Sequence, residues 1–298
     1  MIFNPAAGKG NRALLDEVIN QLKLRNWRAV VRLTNGTGDA ERIVSSGVLE
    51  RAGSEILVIA GGDGTTNEVV NGLYRVGRLD IPICVVPTGT VNLLAGELGF
   101  GKSAKVIVDS VVDGKLKSVV LSKITGSGRA RIFLVTAGIG FDANAVSRAS
   151  KTLKKVHSRG AYVIAGILQY LLGRFPKYRA NIGEKEYIAG SILVANGKFY
   201  AARMIWAPNA NISKGYLEVG VFRILNRIHL PIYIFAMAFG FLSKIKNFDL
   251  VRCKEINLCS PVGQPVQADG DIVAWLPVRI SIMKERVKFF SAEESDKV

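Results

Sequence analysis

The stretch Ile56-Leu-Val-Ile-Ala-Gly61-Gly-Asp63-Gly-Thr65-Thr-Asn-Glu-Val-Val-Asn-Gly-Leu73 decides the fold. Ile56 to Ala60 is a short, continuous apolar run, the pattern of a strand buried on both faces. Gly61, Gly62, Asp63, Gly64 and Thr65 read as a tight loop, whose three glycines let the backbone take positive φ and come close to a ligand. From Thr66 on, Val69, Val70, Leu73 and Val76 recur at helical spacing. A strand therefore feeds a glycine turn that opens a helix. The first amides of that helix have no intrahelical partner and sit at its positive end, a ready site for a phosphate. Asp63 is the odd member: a carboxylate in an anion cradle is repulsive unless a cation lies between it and the phosphate. That points to Mg²⁺, which takes carboxylates together with phosphate oxygens. The plainer alternative is an ordinary strand-to-helix turn with Asp63 or Thr65 as its cap.

Working outward, loops of the same kind recur. The apolar stub Met1 to Phe3 leads into Asn4-Pro-Ala-Ala-Gly8-Lys9-Gly10, where Lys9 could add a phosphate contact. Leu14, Leu15, Val18 and Leu22 then mark one helix face, and Arg28 to Leu33 a strand. Thr34-Asn-Gly-Thr-Gly-Asp39 opens the next helix, with Asp39 as N-cap. The buried strand Pro82 to Val86 ends in Pro87-Thr-Gly-Thr90-Val-Asn92. This alternation predicts a parallel sheet with ligands at the carboxyl ends of its strands, which is where all these loops fall. Gly96 to Ser103 spells G-x-x-x-x-G-K-S, a phosphate-loop pattern that must follow a strand and open a helix. Here Asn92 to Leu98 reads instead as a short helix stopped by Gly99, with Ser103 capping the next helix.

Composition narrows the class. The 298 residues are 49% hydrophobic, ample for a packed core. The formal charge of +16 predicts attraction to a polyanion: nucleic acid, an acidic membrane surface or a phosphorylated substrate. Cys84, Cys253 and Cys259 have no metal-type spacing and fit buried thiols in a reducing compartment. The two histidines exclude a His-rich metal site. No signal peptide is evident, and the longest apolar run, Leu230 to Leu242, is 13 residues, short of the roughly 20 a spanning helix needs. A cytoplasmic protein, peripherally membrane-associated at most, is expected. Residues 143–183 carry eight Lys or Arg (Arg148, Lys151, Lys154, Lys155, Arg159, Arg174, Lys177, Arg179) and no acid, beside the apolar helix candidate Ala161 to Leu172. That combination, with residues 148–179 at its centre, fits an anionic membrane surface better than a solvated basic face. Without a zinc finger or RNP-type motif, nucleic acid is not expected.

Gly61-Gly-Asp-Gly-Thr65 followed by Asn67-Glu-Val-Val-Asn-Gly72 resembles the diacylglycerol kinase catalytic family, especially its bacterial soluble lipid kinases; sphingosine and NAD kinases share the Gly-Gly-Asp-Gly core. Asn4, Pro5 and Gly8 match the family's Asn-Pro-x-x-Gly loop, and Gly89-Thr90-Val-Asn92 its Gly-Thr-x-Asn element, followed here by Leu93 rather than a polar residue. Gly140-Phe-Asp142-Ala, Val194-Ala-Asn-Gly197 and Ala207-Pro-Asn-Ala210 match further along. The resemblance implies an α/β N-terminal domain with a parallel sheet, residues 1–122. It implies a mostly antiparallel β-sandwich lipid-substrate domain, residues 123–285, which the strand-like runs from Tyr187 to Asn196 and onward to Ile282 also suggest. A polar tail, 286–298, is expected to follow.

The resemblance also implies the chemistry. The γ-phosphoryl of Mg·ATP would pass to the hydroxyl of a diacylglycerol-like or sphingoid lipid in a cleft between the domains. Asn4, Gly8, Thr34, Gly61, Gly62, Asp63, Gly64, Thr65, Thr90 and Asn92 would hold the nucleotide. Asp63 would act through Mg²⁺, and Asp271 would activate the lipid hydroxyl. Departures are visible too. Val120 stands where relatives often have Asp, and Ala201 and Ala202 where glycines are usual. Lys214 replaces an Asp that helps hold a structural Mg²⁺, so that site is expected to be lost. Asp269-Gly270-Asp271 has Asp where the family's proposed base is Glu; Asp-Gly is also a favoured hairpin turn. A kinase of a soluble acceptor, as NAD kinase is, and a degenerate nucleotide- or lipid-binding protein stay open. So do the identity of the lipid and the oligomeric state, a homodimer included.

Overall fold

The computed structural model describes residues 1–8, 12–51, 53, 55–126, 128, 130–152, 159–201 and 204–292. The chain packs as two compact units, Met1–Val120 with the C-terminal segment from Glu285, and Leu121–Lys284. Both divisions fall inside strands, Leu116–Gly126 and Val278–Phe290. No Pro- or Gly-rich linker marks them, so the expected boundary at 122/123 had no compositional signal to rest on.

The first unit is α/β. Its strands run in the order Arg32–Leu33, Ile2–Phe3, Leu57–Gly61, Ile83–Pro87 and the end of Val278–Phe290, and their pairings are parallel. Leu57–Gly61 and Ile83–Pro87 are buried at every position, as unbroken apolar runs require when helices cover both faces. The expected strand Arg28–Leu33 shrinks to Arg32 and Leu33, an exposed edge. Segment 286–290, expected as polar tail, instead completes the last strand. Its alternating Val287 and Phe289 are fully buried, and Phe289 stands opposite Ile83. The amides of Ser291 and Ala292 then bond to the carbonyls of Lys115 and Leu98, both at 2.9 Å. Residues 293–298 of that tail lie outside the described residues.

The phosphate-loop lookalike folds as an ordinary helix end and start. Helix Leu93–Glu97 stops before Gly99 at φ 76°, and the Ser103 hydroxyl accepts from Val106 N–H at 3.4 Å to cap helix Ala104–Val112.

The second unit is mostly antiparallel. One sheet orders Phe248–Cys253, Leu217–Phe222, Ser191–Ala195, Thr136–Ile139, Pro265–Ala268 and Asp271–Trp275, each pair antiparallel. Facing it, Tyr178–Ile182 pairs with Lys185–Ala189 and Glu255–Ser260, and the latter with the start of Val278–Phe290. Ala137, Ile139, Ile192 and Val194 from one sheet and Tyr178, Ala180, Ile256 and Ile280 from the other share one core. On the outer face of the first sheet, Leu193, Ala195, Phe222 and Phe248 pack under helix His229–Ala238. The expected single strand Tyr187–Asn196 is two strands that belong to different sheets. They part at Gly190, where a Cβ would meet Leu225 Cβ at 2.4 Å, so only glycine lets the chain pass. Among the described residues, no helix is long and apolar enough to cross a membrane.

Candidate active site

In the first unit, the loops after four parallel strands all lie at carboxyl ends, on one edge of the sheet. Asn4, Thr34, the Gly61–Thr65 turn and the Thr88–Asn92 loop are thereby gathered together. Asn4 Nδ2–H donates to Thr65 Oγ1 at 2.9 Å, tying the first loop to the central turn. Thr34 is buried, its N–H on the Phe3 carbonyl at 2.9 Å. Gly8 takes φ 67°, closing its turn as only glycine does readily. Lys9 and Gly10 lie outside the described residues.

The central helix begins at Asp63, earlier than its periodicity predicts, with Gly62 as N-cap. Asp63, Gly64 and Thr65 therefore form its first turn, ahead of the first intrahelical bond, Thr66 N–H to Gly62 O at 3.1 Å. The glycines serve a different purpose from the expected one. Gly61, Gly62 and Gly64 are not at positive φ; Gly61, and Gly89 in the facing loop, give room. A Cβ on Gly61 would meet Thr65 Cβ at 2.6 Å, and one on Gly89 would meet Gly62 Cα at 2.4 Å. Two loops thus approach backbone to backbone, which a side chain at Gly89 would not permit.

Asp63 has partners that the sequence does not reveal. Its Oδ2 accepts Leu93 N–H at 2.9 Å and its Oδ1 accepts Leu94 N–H at 3.0 Å. The carboxylate therefore caps the helix opening at Leu93, where the amides and the dipole offset its charge. The repulsion that called for a cation is met by the protein itself. Glu68, one and a half turns on, does the same on the other side. Its Oε1 accepts Gly38 N–H at 2.7 Å and its Oε2 accepts Ala40 N–H at 3.1 Å, at the start of helix Asp39–Ser45. Asp39, the expected N-cap of that helix, is its first residue and accepts Asn35 N–H at 2.8 Å. Two carboxylates of one helix thus fix the two flanking loops. The signal, Asp and Glu five residues apart in a glycine-opened helix, was present but has no unique reading without the fold.

Thr90 is exposed and Asn92 buried, the latter at φ 56° with its Nδ2–H on Gly89 O at 2.9 Å. Leu93, where relatives carry a polar side chain, is buried and contributes its backbone N–H. Among the described residues, no group of three His, Cys, Asp or Glu could hold a metal. Mg²⁺ fits this edge only in the manner it commonly favours, on phosphate oxygens plus a single carboxylate.

In the second unit, Ala268 pairs with Asp271 across a two-residue hairpin, Asp269 at φ 47° and Gly270 at φ 93°. Positive φ at both central residues is the type I′ turn that Asp-Gly favours. Asp271 opens the next strand and is exposed. Asp269, not singled out from the sequence as a site residue, anchors the hairpin. Its carboxylate accepts the N–H groups of Leu134, Val135 and Thr136 at 2.7, 3.0 and 3.0 Å, and its own N–H donates to Thr136 O at 2.9 Å. Gln267 Oε1 accepts Gly270 N–H at 3.1 Å, and its Nε2–H donates to Asp142 Oδ2 at 2.5 Å. Tyr200 O–H donates to the other Asp142 oxygen. Burial pushes the Asp142 carboxyl above its ordinary range, against the two hydrogen bonds that pull it down. Burial, then the neighbouring Asp142, drives the Tyr200 phenol far up.

The remaining departures have visible surroundings. Val120 is buried. Ala201 sits at φ 47°, a left-handed turn position that glycine adopts more readily; Ala202 lies outside the described residues. Lys214 is exposed in a turn closed by its N–H on Asn211 O at 2.9 Å. Burial pushes the Cys84 thiol up to about 12 and, chiefly, that of Cys253 to about 11. All three cysteines are free, Cys84 buried and the other two half-buried, so full burial holds for Cys84 alone.

Of the basic segment, Arg148 Nε–H donates to buried Gln169 at 2.6 Å, while Arg179 is exposed and pairs with exposed Glu186 at 3.0 Å. Arg174 and Lys177 are exposed. Lys154 and Lys155, and the side chains of Lys151 and Arg159, lie outside the described residues.

A parallel α/β unit with glycine loops at its strand ends, joined to an antiparallel sandwich unit, is the architecture shared by diacylglycerol kinases and NAD kinases. Residues 1–124 match the diacylglycerol kinase catalytic domain, and residues 135–291 the YegS C-terminal NAD kinase beta sandwich-like domain. The chain belongs to this diacylglycerol kinase family. It is 29% identical to a diacylglycerol kinase of Mycobacterium tuberculosis over 287 residues, 94% of this chain and 90% of the relative. It is 25% identical to a diacylglycerol kinase of Staphylococcus carnosus over 301 residues, 99% and 95% of the two chains. The fold resembles the crystal structure of a Bacillus anthracis diacylglycerol kinase, with TM-score 0.69 and 20% identity over 97% of this chain and 95% of that one. It also resembles an NAD kinase from Archaeoglobus fulgidus in complex with ATP, with TM-score 0.54 and 14% identity over 98% and 93%.

Proposed function

We propose that the protein is an ATP-dependent lipid kinase, transferring the γ-phosphoryl of Mg·ATP to the hydroxyl of a diacylglycerol-like or sphingoid lipid. The observation that carries this reading is the edge of the first unit. There a helix N-terminus, two glycine loops in backbone contact, and Asn4 bonded to Thr65 converge at the ends of parallel strands. The names of the full-length relatives support the acceptor class.

ATP with Mg²⁺ supplies the transferable phosphoryl group and neutralises its charge. Phosphoryl transfer otherwise asks the protein mainly for positioning and electrostatic stabilisation. The first-turn amides at Asp63, Gly64 and Thr65 would face the phosphates. Asn4, Gly8, Thr34, Thr90 and Asn92 would line the nucleotide. Asp63 would fix the Thr88–Leu94 segment and be the carboxylate nearest the metal brought by ATP. Asp271 would accept the proton as the lipid oxygen bonds to phosphorus and the bond to the leaving ADP oxygen breaks. A general base works within about 3 Å, directly or through one water. With one methylene less than Glu, Asp271 would use a water or a small backbone shift. A cytoplasmic enzyme working at the membrane fits this substrate.

The test is transfer of labelled phosphate from ATP to mixed-micelle lipids. A labelled phospholipid supports the reading. Labelling only of water-soluble acceptors would replace it with a soluble-acceptor kinase, and nucleotide binding without turnover would replace it with a degenerate binding protein.

A further inference from the structure

Helix His229–Ala238 is apolar around its whole circumference, a composition expected of a helix enclosed on all sides. It is enclosed on one side only. Leu230, Tyr233, Ala236 and Met237 pack onto the sheet. Ile228, Ile232, Phe235 and Phe239, spaced to fall on one stripe over three turns, are 73, 44, 57 and 68% exposed. The two phenyl rings meet in a tilted pair at 4.4 Å, and Phe235 reaches the edge of the core through Phe241 at 5.9 Å.

This stripe has a neighbour. The Arg227 guanidinium donates to the carbonyls of Tyr170 and Leu171 at 3.3 and 2.9 Å, and Tyr170 O–H returns a bond to Arg227 O at 3.1 Å. The C-terminal end of helix Arg159–Leu172 is thereby pinned beside Ile228. Its Leu171 and Leu172 are 54 and 66% exposed. Two helix segments thus put large apolar side chains into solvent side by side, and contiguous exposed patches of this kind mark interaction surfaces.

The charge around the patch chooses the occupant. Exposed Arg174, Lys177, Lys244 and Lys246 flank the two segments. Neither 143–183 nor 223–248 contains an acidic residue. Apolar side chains flanked by lysine and arginine alone match an anionic bilayer, where the former enter the headgroup boundary and the latter meet lipid phosphates. We propose that this patch, formed by Ile228–Phe239 and the Leu171–Lys177 segment, docks the protein on anionic lipid membranes. The proposal keeps Leu171–Lys177 of the expected basic and apolar segment 148–179 and adds the apolar stripe Ile228–Phe239 beside it. It rests on the lipid-kinase reading for its purpose, while its test does not require turnover.

The experiment is flotation of the full chain with phosphatidylcholine vesicles, with and without phosphatidylglycerol. Wild type is compared with Phe235→Ser/Phe239→Ser, and with Leu171→Ser/Leu172→Ser should the first variant not fold. The expected result is flotation with anionic vesicles and loss of at least about tenfold in partition for the serine variants. Lys244→Gln/Lys246→Gln should weaken binding only where phosphatidylglycerol is present. Activity on a short-chain, monomeric diacylglycerol should be unchanged in all variants. Wild type that fails to float, or serine variants that float equally, would overturn the proposal. So would a wild-type dimer that the serine substitutions dissociate without any vesicle binding, since the stripe would then be a contact between two copies. Absence of activity on every lipid would defeat the kinase reading and leave the flotation result standing.

Discussion

Asp63 holds the start of the helix at Leu93, its two carboxylate oxygens accepting the Leu93 and Leu94 amides at 2.9 and 3.0 Å. The residue that reads most readily as a metal ligand is thus also a structural bracket. Asp63→Ala should destabilise the nucleotide-free, metal-free protein by about 1–2 kcal/mol, the worth of a lost cap with charged acceptors. Urea unfolding in EDTA measures this. A residue acting only through Mg²⁺ would leave that midpoint unchanged.

The contact between Gly62 and Gly89 invites a second substitution. A Cβ at Gly89 would lie 2.4 Å from Gly62 Cα and 2.6 Å from Asn92 Oδ1. Because the nearest obstacle is backbone, the two loops must separate. Gly89→Ala should cost about 1–3 kcal/mol as an overpacked site and weaken ATP binding by more than about tenfold. Calorimetric titration with ATP reads the second effect, and unaltered affinity would mean that the loops are not part of the nucleotide site.

The reach of the sequence can be judged from these residues. The strand-turn-helix at 56–73, the decoy at 96–103 and the Asp-Gly turn at 269–270 were legible because each rests on local rules: apolar runs, helix stops and positive φ. What escaped was non-local. Asp63 and Glu68 find their partners some thirty residues away, and Asp269 more than one hundred. Gly190 looks like a point within one strand until Leu225 is seen against it. Segment 286–290 passed for a tail because its alternation of Val287 and Phe289 with charges is too short to separate from noise.

Asp269 offers a third test. Three backbone amides converge on its carboxylate. Asp269→Ala strands all three, at a cost of about 2–4 kcal/mol, and releases the hairpin that carries Asp271. Thermal unfolding should fall, and hydrogen exchange at Leu134 to Thr136 should rise. A shift confined to turnover, with stability intact, would count against an anchoring role.

Asp142 makes stability depend on pH. Its carboxyl is raised above the ordinary 3.8, with burial the leading cause. The folded state therefore holds the proton more tightly than the unfolded one. Its contribution is fully present below the ordinary value and is lost as pH rises through the raised one. Asp142→Asn removes that titration. The stability difference, wild type minus variant, should decline as pH climbs from the acid side of 3.8 toward neutrality. Denaturant unfolding across that interval measures it; a difference that grows with pH would contradict the burial argument.

The central claim is lipid phosphorylation with Asp271 as the base. The most direct measurement is transfer of the labelled γ-phosphate of ATP to a total-lipid extract in mixed micelles, wild type beside Asp271→Ala and Asp271→Glu. The account predicts one labelled phospholipid from wild type, its loss in Asp271→Ala with ATP binding retained, and its return in Asp271→Glu. No labelled lipid from a wild-type protein that binds Mg·ATP, or undiminished labelling by Asp271→Ala, would contradict it.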